Sequence, residues 1–256
     1  MVPRCLTIAG SDSGGGAGVQ ADLKAFAAAG CYGMSAIVAL TAQNTVGVSA
    51  VHEVPPEFVR AQLEAVFDDL GADAAKTGML FSAGVIETVA DVLADHPLPL
   101  VVDPVMVSSS GARLLEEDAA ETLVARLFPL ATVVTPNLTE AEALVGEGPK
   151  RELAERLVGL GAAAAVVTGG HGDPVDHLFD GQEHVEIPVA RHAIAATHGA
   201  GCTHSATLAA WLARGESLEA AARGAAEAAS RAVGHGLPEL GSGDGPVDVI
   251  GLRGAA

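Results

Sequence analysis

Aromatic side chains are scarce in this chain of 256 residues: one Trp, one Tyr and six Phe. Base stacking on a nucleic-acid strand needs a platform of such rings, so that mode of recognition is excluded. Basic residues are few as well. Fourteen Lys and Arg stand against 32 Asp and Glu, a formal net charge of −18. Nucleic-acid binding relies on clustered cations and does not fit; the acidic excess serves solubility. A nucleotide would have to be held by backbone N–H groups, a metal ion and a few local cations. The three cysteines, Cys5, Cys31 and Cys202, are odd in number and scattered, which points to a reduced, cytoplasmic setting rather than a disulfide framework. No apolar run reaches membrane-spanning length without Gly, Pro or charge. The opening MVPRCLTIAGSDSGGG runs into a glycine loop where a signal peptide would carry its cleavage site.

What is present is apolar patterning. Hydrophobic residues make up 49% and charged residues 18%, enough for a sizeable core. Short apolar runs at 5–10, 34–42, 72–80, 98–106, 131–137 and 162–170 read as strands. Between them, 19–30, 55–71, 82–95, 116–128, 139–146 and 150–161 read as helices, with Pro or Ser at starts and Gly at ends. VDHLFDG and EHVEIPVA form a hairpin pattern across Asp180-Gly181. Two alanine-rich helices follow, the second over 217–236. Alternating strands and helices specify an α/β fold with a mostly parallel sheet covered on both faces. No shift in composition divides the chain, so 1–256 reads as a single domain, its Gly- and Pro-rich tail after about Gly236 loosely held.

Polar residues gather where strands end. Asp12 follows the first strand, Gln43 and Asn44 the second, Lys76 and Thr77 the third. Asp103 ends the fourth, Asn137 and Glu140 follow the fifth, and Thr168 to His171 the sixth. The carboxyl edge of an open parallel sheet is where ligands bind.

Several motifs compete for that edge. GSDSGGGAGVQADLK (10–24) fits a dinucleotide turn as Gly16-x-Gly18-x-x-Ala21, but no acidic residue ends the second strand to hold a ribose. A capped tight turn and a loop closing over a small substrate are the alternatives. GADAAKT (71–77) has Ala75 where a phosphate-binding P-loop requires Gly, which rules that motif out. Asn137 and Glu140, three apart at a helix start, suit either a hydrated magnesium ion or an ordinary capping box. His198, Cys202 and His204 match no complete zinc site; His204 reads as partly exposed. Gly199-Ala200-Gly201-Cys202 opens a long helix. Its N–H groups and dipole would seat an anion such as a phosphoryl group in transfer. A thiol at a helix start is expected to have a lowered pKa and to accept a proton; the bland alternative is a small cysteine buried in a glycine turn.

Taken in order, AGSDSGGGAGVQADLK, ALTAQNT, KTGML, VVDPVM, TPNLTEAEAL and HGAGCTHSATLAA resemble the hydroxymethylpyrimidine/phosphomethylpyrimidine kinases of thiamine biosynthesis, in the ribokinase-like superfamily. The resemblance covers nearly the whole chain and weakens after about Gly236. It implies a three-layer α/β/α sandwich without a separate lid domain, ATP and Mg²⁺ as cofactors, and a homodimer. It also implies two successive phosphorylations, of 4-amino-5-hydroxymethyl-2-methylpyrimidine and then of its monophosphate. By motif, Gln43, Gly10, Asp22 and Met79 would surround the pyrimidine. Asp103, Asn137 and Glu140 would serve the magnesium–phosphate region, with Asp103 and Glu140 toward the metal. Gly199, Ala200, Gly201 and Cys202 would form the anion hole, with Cys202 as base. Lys76 and Thr168 fall near phosphates, Lys76 as a source of positive potential. Two positions depart from the family pattern: Ala200 replaces a Thr, and Thr168 stands where many members carry Lys. Pyridoxal or pyridoxine kinases and a non-catalytic pyrimidine-binding protein are the rival readings.

Overall fold

Successive residues of the first strand go to opposite faces. Leu6 and Ile8 join one buried cluster and Cys5 another, and all three are fully shielded. A strand buried on both sides needs helices on both sides. The computed structural model describes residues 1–107, 111–112, 114–116, 119–169, 173–193 and 196–254. The chain runs β1 (Arg4–Asp12), α1 (Gly18–Ala28), β2 (Tyr32–Gln43), β3 (Val48–Glu53), α2 (Pro56–Asp69), β4 (Ala74–Thr77), α3 (Ala83–Asp95), β5 (Leu100–Val102) and α4 (Ala119–Leu127). It continues through β6 (Val133–Val134), α5 (Leu138–Val145), α6 (Lys150–Gly159), β7 (Ala165–Val167), β8 (Val175–Phe179), β9 (His184–Pro188), α7 (Ala200–Ala213) and α8 (Leu218–Gly234).

The described strands form one nine-stranded sheet in the order β3-β2-β1-β4-β5-β6-β7-β8-β9. The six from β2 to β7 are parallel, while β3, β8 and β9 join antiparallel at the edges. On one face, Val59 and Leu63 of α2, Val85 and Ile86 of α3, Leu123 of α4 and Leu157 of α6 share one buried cluster with Leu6 and Ile8. On the other, Phe26 of α1, Leu208 of α7 and the buried alanines of α8 share a second cluster with Val101, Val133 and Val166. This is the expected three-layer α/β/α arrangement. Local chemistry sets its helix starts: Pro56 opens α2, and Ser82 and Ser217 cap α3 and α8.

The structure departs from the sequence reading at an edge strand, a helix and the tail, and the strands expected over 98–106 and 131–137 are only Leu100–Val102 and Val133–Val134. The edge strand β3 was not anticipated, because VSAVHE is half exposed and lacks a clear apolar face. The sixth expected strand is only Ala165–Val167, and Gly170 and His171 of that stretch lie outside the described residues. The helix expected from 116 begins at Ala119 and gives way at Leu127 to a 3-10 turn containing Pro129; Glu117 and Asp118 lie outside the described residues. The tail is tied down rather than loose. Leu237, Val247 and Asp248 are buried. Leu237 N–H donates to Pro246, Val247 N–H to His198 and Asp248 N–H to Ala232, at 2.9, 3.1 and 3.0 Å.

Strand β1 pairs with both β2 and β4, so the chain leaves β1 first to one side and then to the other. Ligands bind beyond the carboxyl ends of the strands at such a switch point. Asp12 ends β1 there, and Lys76 of β4 lies opposite Thr7 of β1.

Candidate active site

A cavity of about 800 Å³ opens at this edge, within the range of small-molecule sites. Its walls come from the ends of β1, β2, β4 and β5, the starts of α5 and α7, the turn after β7, and the tail. At one end are Gly10, Gln43 and Met79. Gly10 N–H donates to Met79 O at 3.2 Å, and a side chain on Gly10 would collide with the Met79 methyl. Gln43 Oε1 accepts from Thr41 Oγ1 at 3.0 Å, and its backbone N–H donates to Ser13 Oγ at 2.9 Å. Thr41 of the same strand thus orients the side chain, and the glycine loop holds the Gln43 backbone.

At the centre, Gly199 caps α7 with φ +87°. A Cβ there would strike the carbonyl oxygen of Gly16, so only glycine fits. The first N–H groups of a helix have no intrahelical acceptor. Ala200 N–H is taken by Thr197 O at 3.0 Å, and Thr203 N–H by Gly199 O at 2.9 Å. The helix geometry leaves Gly201 and Cys202 as the amide donors of this turn; the expectation that Ala200 adds a donor is not met.

Cys202 lines the cavity and is half-buried. Its thiol is pushed up to about 12, first by burial and then by Asp22 and Asp103, against the pull of Lys76 and of Gly18 N–H. The expected lowering is overturned: desolvation here outweighs the helix dipole. Iodoacetamide should therefore alkylate Cys202 of the ligand-free chain slowly at pH 7.5, at a rate that keeps rising to pH 10. A plateau near neutrality, read by peptide mass, would contradict this environment.

Lys76 is fully buried. Its Nζ lies 3.0 and 3.1 Å from the two Asp22 oxygens and 3.8 Å from Asp103 Oδ2. These carboxylates keep the amine charged, raising it against the effect of burial. Burial pushes Asp22 upward against Lys76 and Thr7, whose Oγ1 donates at 2.6 Å. Two expectations change. Asp22 is fully enclosed and is not among the cavity's lining residues; it neutralises Lys76. Lys76 touches the cavity but its ammonium is already committed to carboxylates, so it is not a free cation for phosphate.

Asp103 follows β5 and accepts from Ser205 Oγ at 2.8 Å. Asn137 and Glu140 do form the capping box: Glu140 N–H donates to Asn137 Oδ1 at 2.9 Å, and Asn137 N–H to Glu140 Oε2 at 3.0 Å. Both also line the cavity, so the cap and a site role coexist. Thr168 lies beside Asn137 in a parallel bridge. The segment after β9 and helix α8 add Val189, Ala226, Ala229 and Val233 to the lining, together with Arg191, His192 and Ser230.

A model of one family, described as phosphomethylpyrimidine kinase, matches residues 12–248. The chain belongs to the phosphomethylpyrimidine kinase family. The match runs through the pinned tail to Asp248. A hydroxymethylpyrimidine/phosphomethylpyrimidine kinase of Streptomyces coelicolor is 49% identical over 253 residues, 96% of this chain and 94% of that one. Among solved structures, an ADP complex of Bacillus subtilis pyridoxal kinase is 38% identical with TM-score 0.89, covering 99% of each chain. The phosphomethylpyrimidine kinase of Clostridium difficile 630 is 39% identical with TM-score 0.78, covering 88% of this chain and 96% of that one.

The donor set of this family member fits magnesium. Burial first, and then the charge of Asp103, push Glu140 up to about 8. Two carboxylates that repel one another across a cavity would be relieved by a divalent cation. Among the described residues no three His, Cys, Asp or Glu side chains converge as a metal cluster. Magnesium needs no such cluster, since it takes one or two carboxylates and completes its shell with water and phosphate.

Sequence reasoning missed three polar contributors. Ser205 reaches Asp103 from the second turn of α7, with no local signal. His204, expected to be partly exposed, is 5% exposed and stands 3.3 Å from Asp176. His198 was noted only as an incomplete zinc ligand; its ring bonds Asp12. Among the described residues, no helix is long and apolar enough to cross a membrane.

Proposed function

We propose that this chain phosphorylates 4-amino-5-hydroxymethyl-2-methylpyrimidine, and then its monophosphate, with ATP and Mg²⁺, in thiamine biosynthesis. One observation carries the reading. A single cavity is lined by Gln43 from the β2 side of the sheet, by Val189 from beyond β9 on the opposite side, and by the helix start at Gly201 and Cys202. An acceptor ring and a nucleotide entering from opposite ends would meet at those amides. The kinase names of the relatives, and the ADP in one of the similar structures, support the same arrangement.

Phosphoryl transfer asks mainly for position and for stabilisation of charge on the moving group. In this reading Gln43 pairs with the polar edge of the pyrimidine, and Gly10 and Met79 shape its face. Gly201 and Cys202 N–H groups, aided by the dipole of α7, receive the phosphoryl oxygens. Asp103 and Glu140 would hold the metal, with Asn137 and Thr168 beside the phosphates. Bound there, Mg²⁺ supplies positive charge against the transferring group. Cys202, once deprotonated, takes the proton of the attacking hydroxyl.

The test is a product assay with ATP, Mg²⁺ and the pyrimidine alcohol, read by mass for mono- and diphosphate. Ligand-dependent stabilisation with no product would mark a binding protein instead. For Gln43→Ala we expect pyrimidine binding to weaken about tenfold, the loss of about one or two hydrogen bonds, with ATP affinity retained. Equal pyrimidine titrations for wild type and variant would remove Gln43 from the acceptor site.

The likeness to a pyridoxal kinase at TM-score 0.89 supports one second reading, since pyridoxal also offers a ring hydroxymethyl group. Competition between the two acceptors decides it by the ratio of kcat/KM. The chain as one domain, a homodimer and a cytoplasmic location are also part of this proposal, checked by limited proteolysis, sedimentation and fractionation.

A further inference from the structure

Asp12 and His198 are both buried, line the cavity and have no role in the chemistry above. The Asp12 carboxylate joins two loops. Its Oδ1 accepts Gly14 N–H at 2.7 Å; its Oδ2 accepts Gly16 N–H at 3.1 Å and Ala17 N–H at 2.9 Å. The same Oδ2 lies 2.9 Å from His198 Nε2. One carboxylate therefore folds the glycine loop and fastens it to the residue before Gly199. Burial pushes Asp12 upward, but the bonds from His198 and the loop amides outweigh this and hold it below the usual carboxylate range.

His198 is fastened on its other side by the tail. Its N–H donates to Gly245 O at 3.2 Å, and its C=O accepts Val247 N–H at 3.1 Å. Asp244 accepts from Thr197 N–H and Thr197 Oγ1, both at 2.8 Å. Gly243 N–H donates to Thr45 Oγ1 at 3.2 Å, just beyond Gln43, and Ser13 of the glycine loop bonds the Gln43 backbone. Around Asp12 and His198, three segments distant in sequence hold the acceptor end of the cavity against the phosphoryl-receiving turn.

We propose that the Asp12–His198 pair is a positioning device that, with the tail strap 241–248, fixes the distance between the bound acceptor and the amides of Gly201 and Cys202. This rests on the phosphoryl-transfer reading of the site. Neither residue is a catalytic group. They act by keeping two loops in one register, and a displacement of about 1 Å in such a register costs about a hundredfold in rate.

Two variants test it. His198→Leu removes the ring donor, and His198→Gln keeps a donor at the reach of Nε2. For His198→Leu we expect kcat to fall about a hundredfold, with KM for both substrates within about threefold of wild type. His198→Gln should recover most of kcat. In hydrogen exchange of the full chain without ligands, His198→Leu should speed exchange in 12–20 and 241–248 together, with β5 and α3 unchanged. An unchanged kcat, a loss carried by KM, or faster exchange confined to 197–199 would overturn the proposal. If His198→Leu does not fold, Asp12→Asn takes its place with the same expectations. If wild type yields no phosphorylated product, the functional reading fails, and the exchange measurement still decides whether the loops are coupled.

Discussion

Replacing Cys202 with alanine should lower kcat by about 10²- to 10⁴-fold, the contribution of a positioned proton acceptor, while the melting temperature stays close to that of wild type. The side chain lines the cavity and is half-buried, so its removal costs little packing. With the thiol pushed up to about 12, its basic form is scarce at neutral pH. The wild-type rate should therefore climb with pH until the fold gives way, without a plateau near 7. Cys202→Ala should lose that slope along with its rate. The amides of Gly201 and Cys202 persist in the variant, so residual turnover reports their share. A loss of less than tenfold would assign the catalysis to the amides and leave the sulfur a packing role.

Lys76→Met should give the largest loss of stability. Removing one partner of a buried ion pair costs about 3–5 kcal/mol, because the other charge stays behind without compensation. Here two carboxylates lose their cation. At about 2–4 °C per kcal/mol for a chain of this size, the melting temperature should drop by about 10 °C or more. The sign of the pH dependence follows from Asp22. Its pKa is already raised by burial in the presence of Lys76, and removing the cation raises it further. A carboxyl with a raised folded pKa favours the folded state while protonated and costs stability as pH rises. The gap between wild type and variant should therefore be widest at neutral pH and narrow on acidification. Asp22→Asn in the Lys76→Met background should recover part of the loss. Equal melting curves for wild type and Lys76→Met would show that the pair contributes nothing.

Much of the fold was legible because burial leaves a pattern. Runs such as Val101–Val102 and Val133–Val134 are apolar at consecutive positions, as a strand covered on both faces requires, and Ser82, Ser217, Pro56 and Gly30 mark helix ends by local chemistry. The edge strand β3 escaped because its residues meet water on one side and do not show a buried run. Gly199, Gly201, Cys202, Gln43 and Asn137 stood out because strand ends and helix starts can be recognised from neighbours in sequence.

Sequence alone determined the layered α/β architecture, the order of its elements apart from the edge strand β3, and the segments that border the cavity, since each follows from periodicity and capping over a few residues. Tertiary structure alone decided what the side chains do there. Whether Lys76 faces phosphate or Asp22, whether Cys202 ionises easily, and whether the tail is loose or strapped to His198 depend on contacts between residues far apart in the chain. Burial and charge pairing act through space, and no local pattern encodes which distant group will arrive.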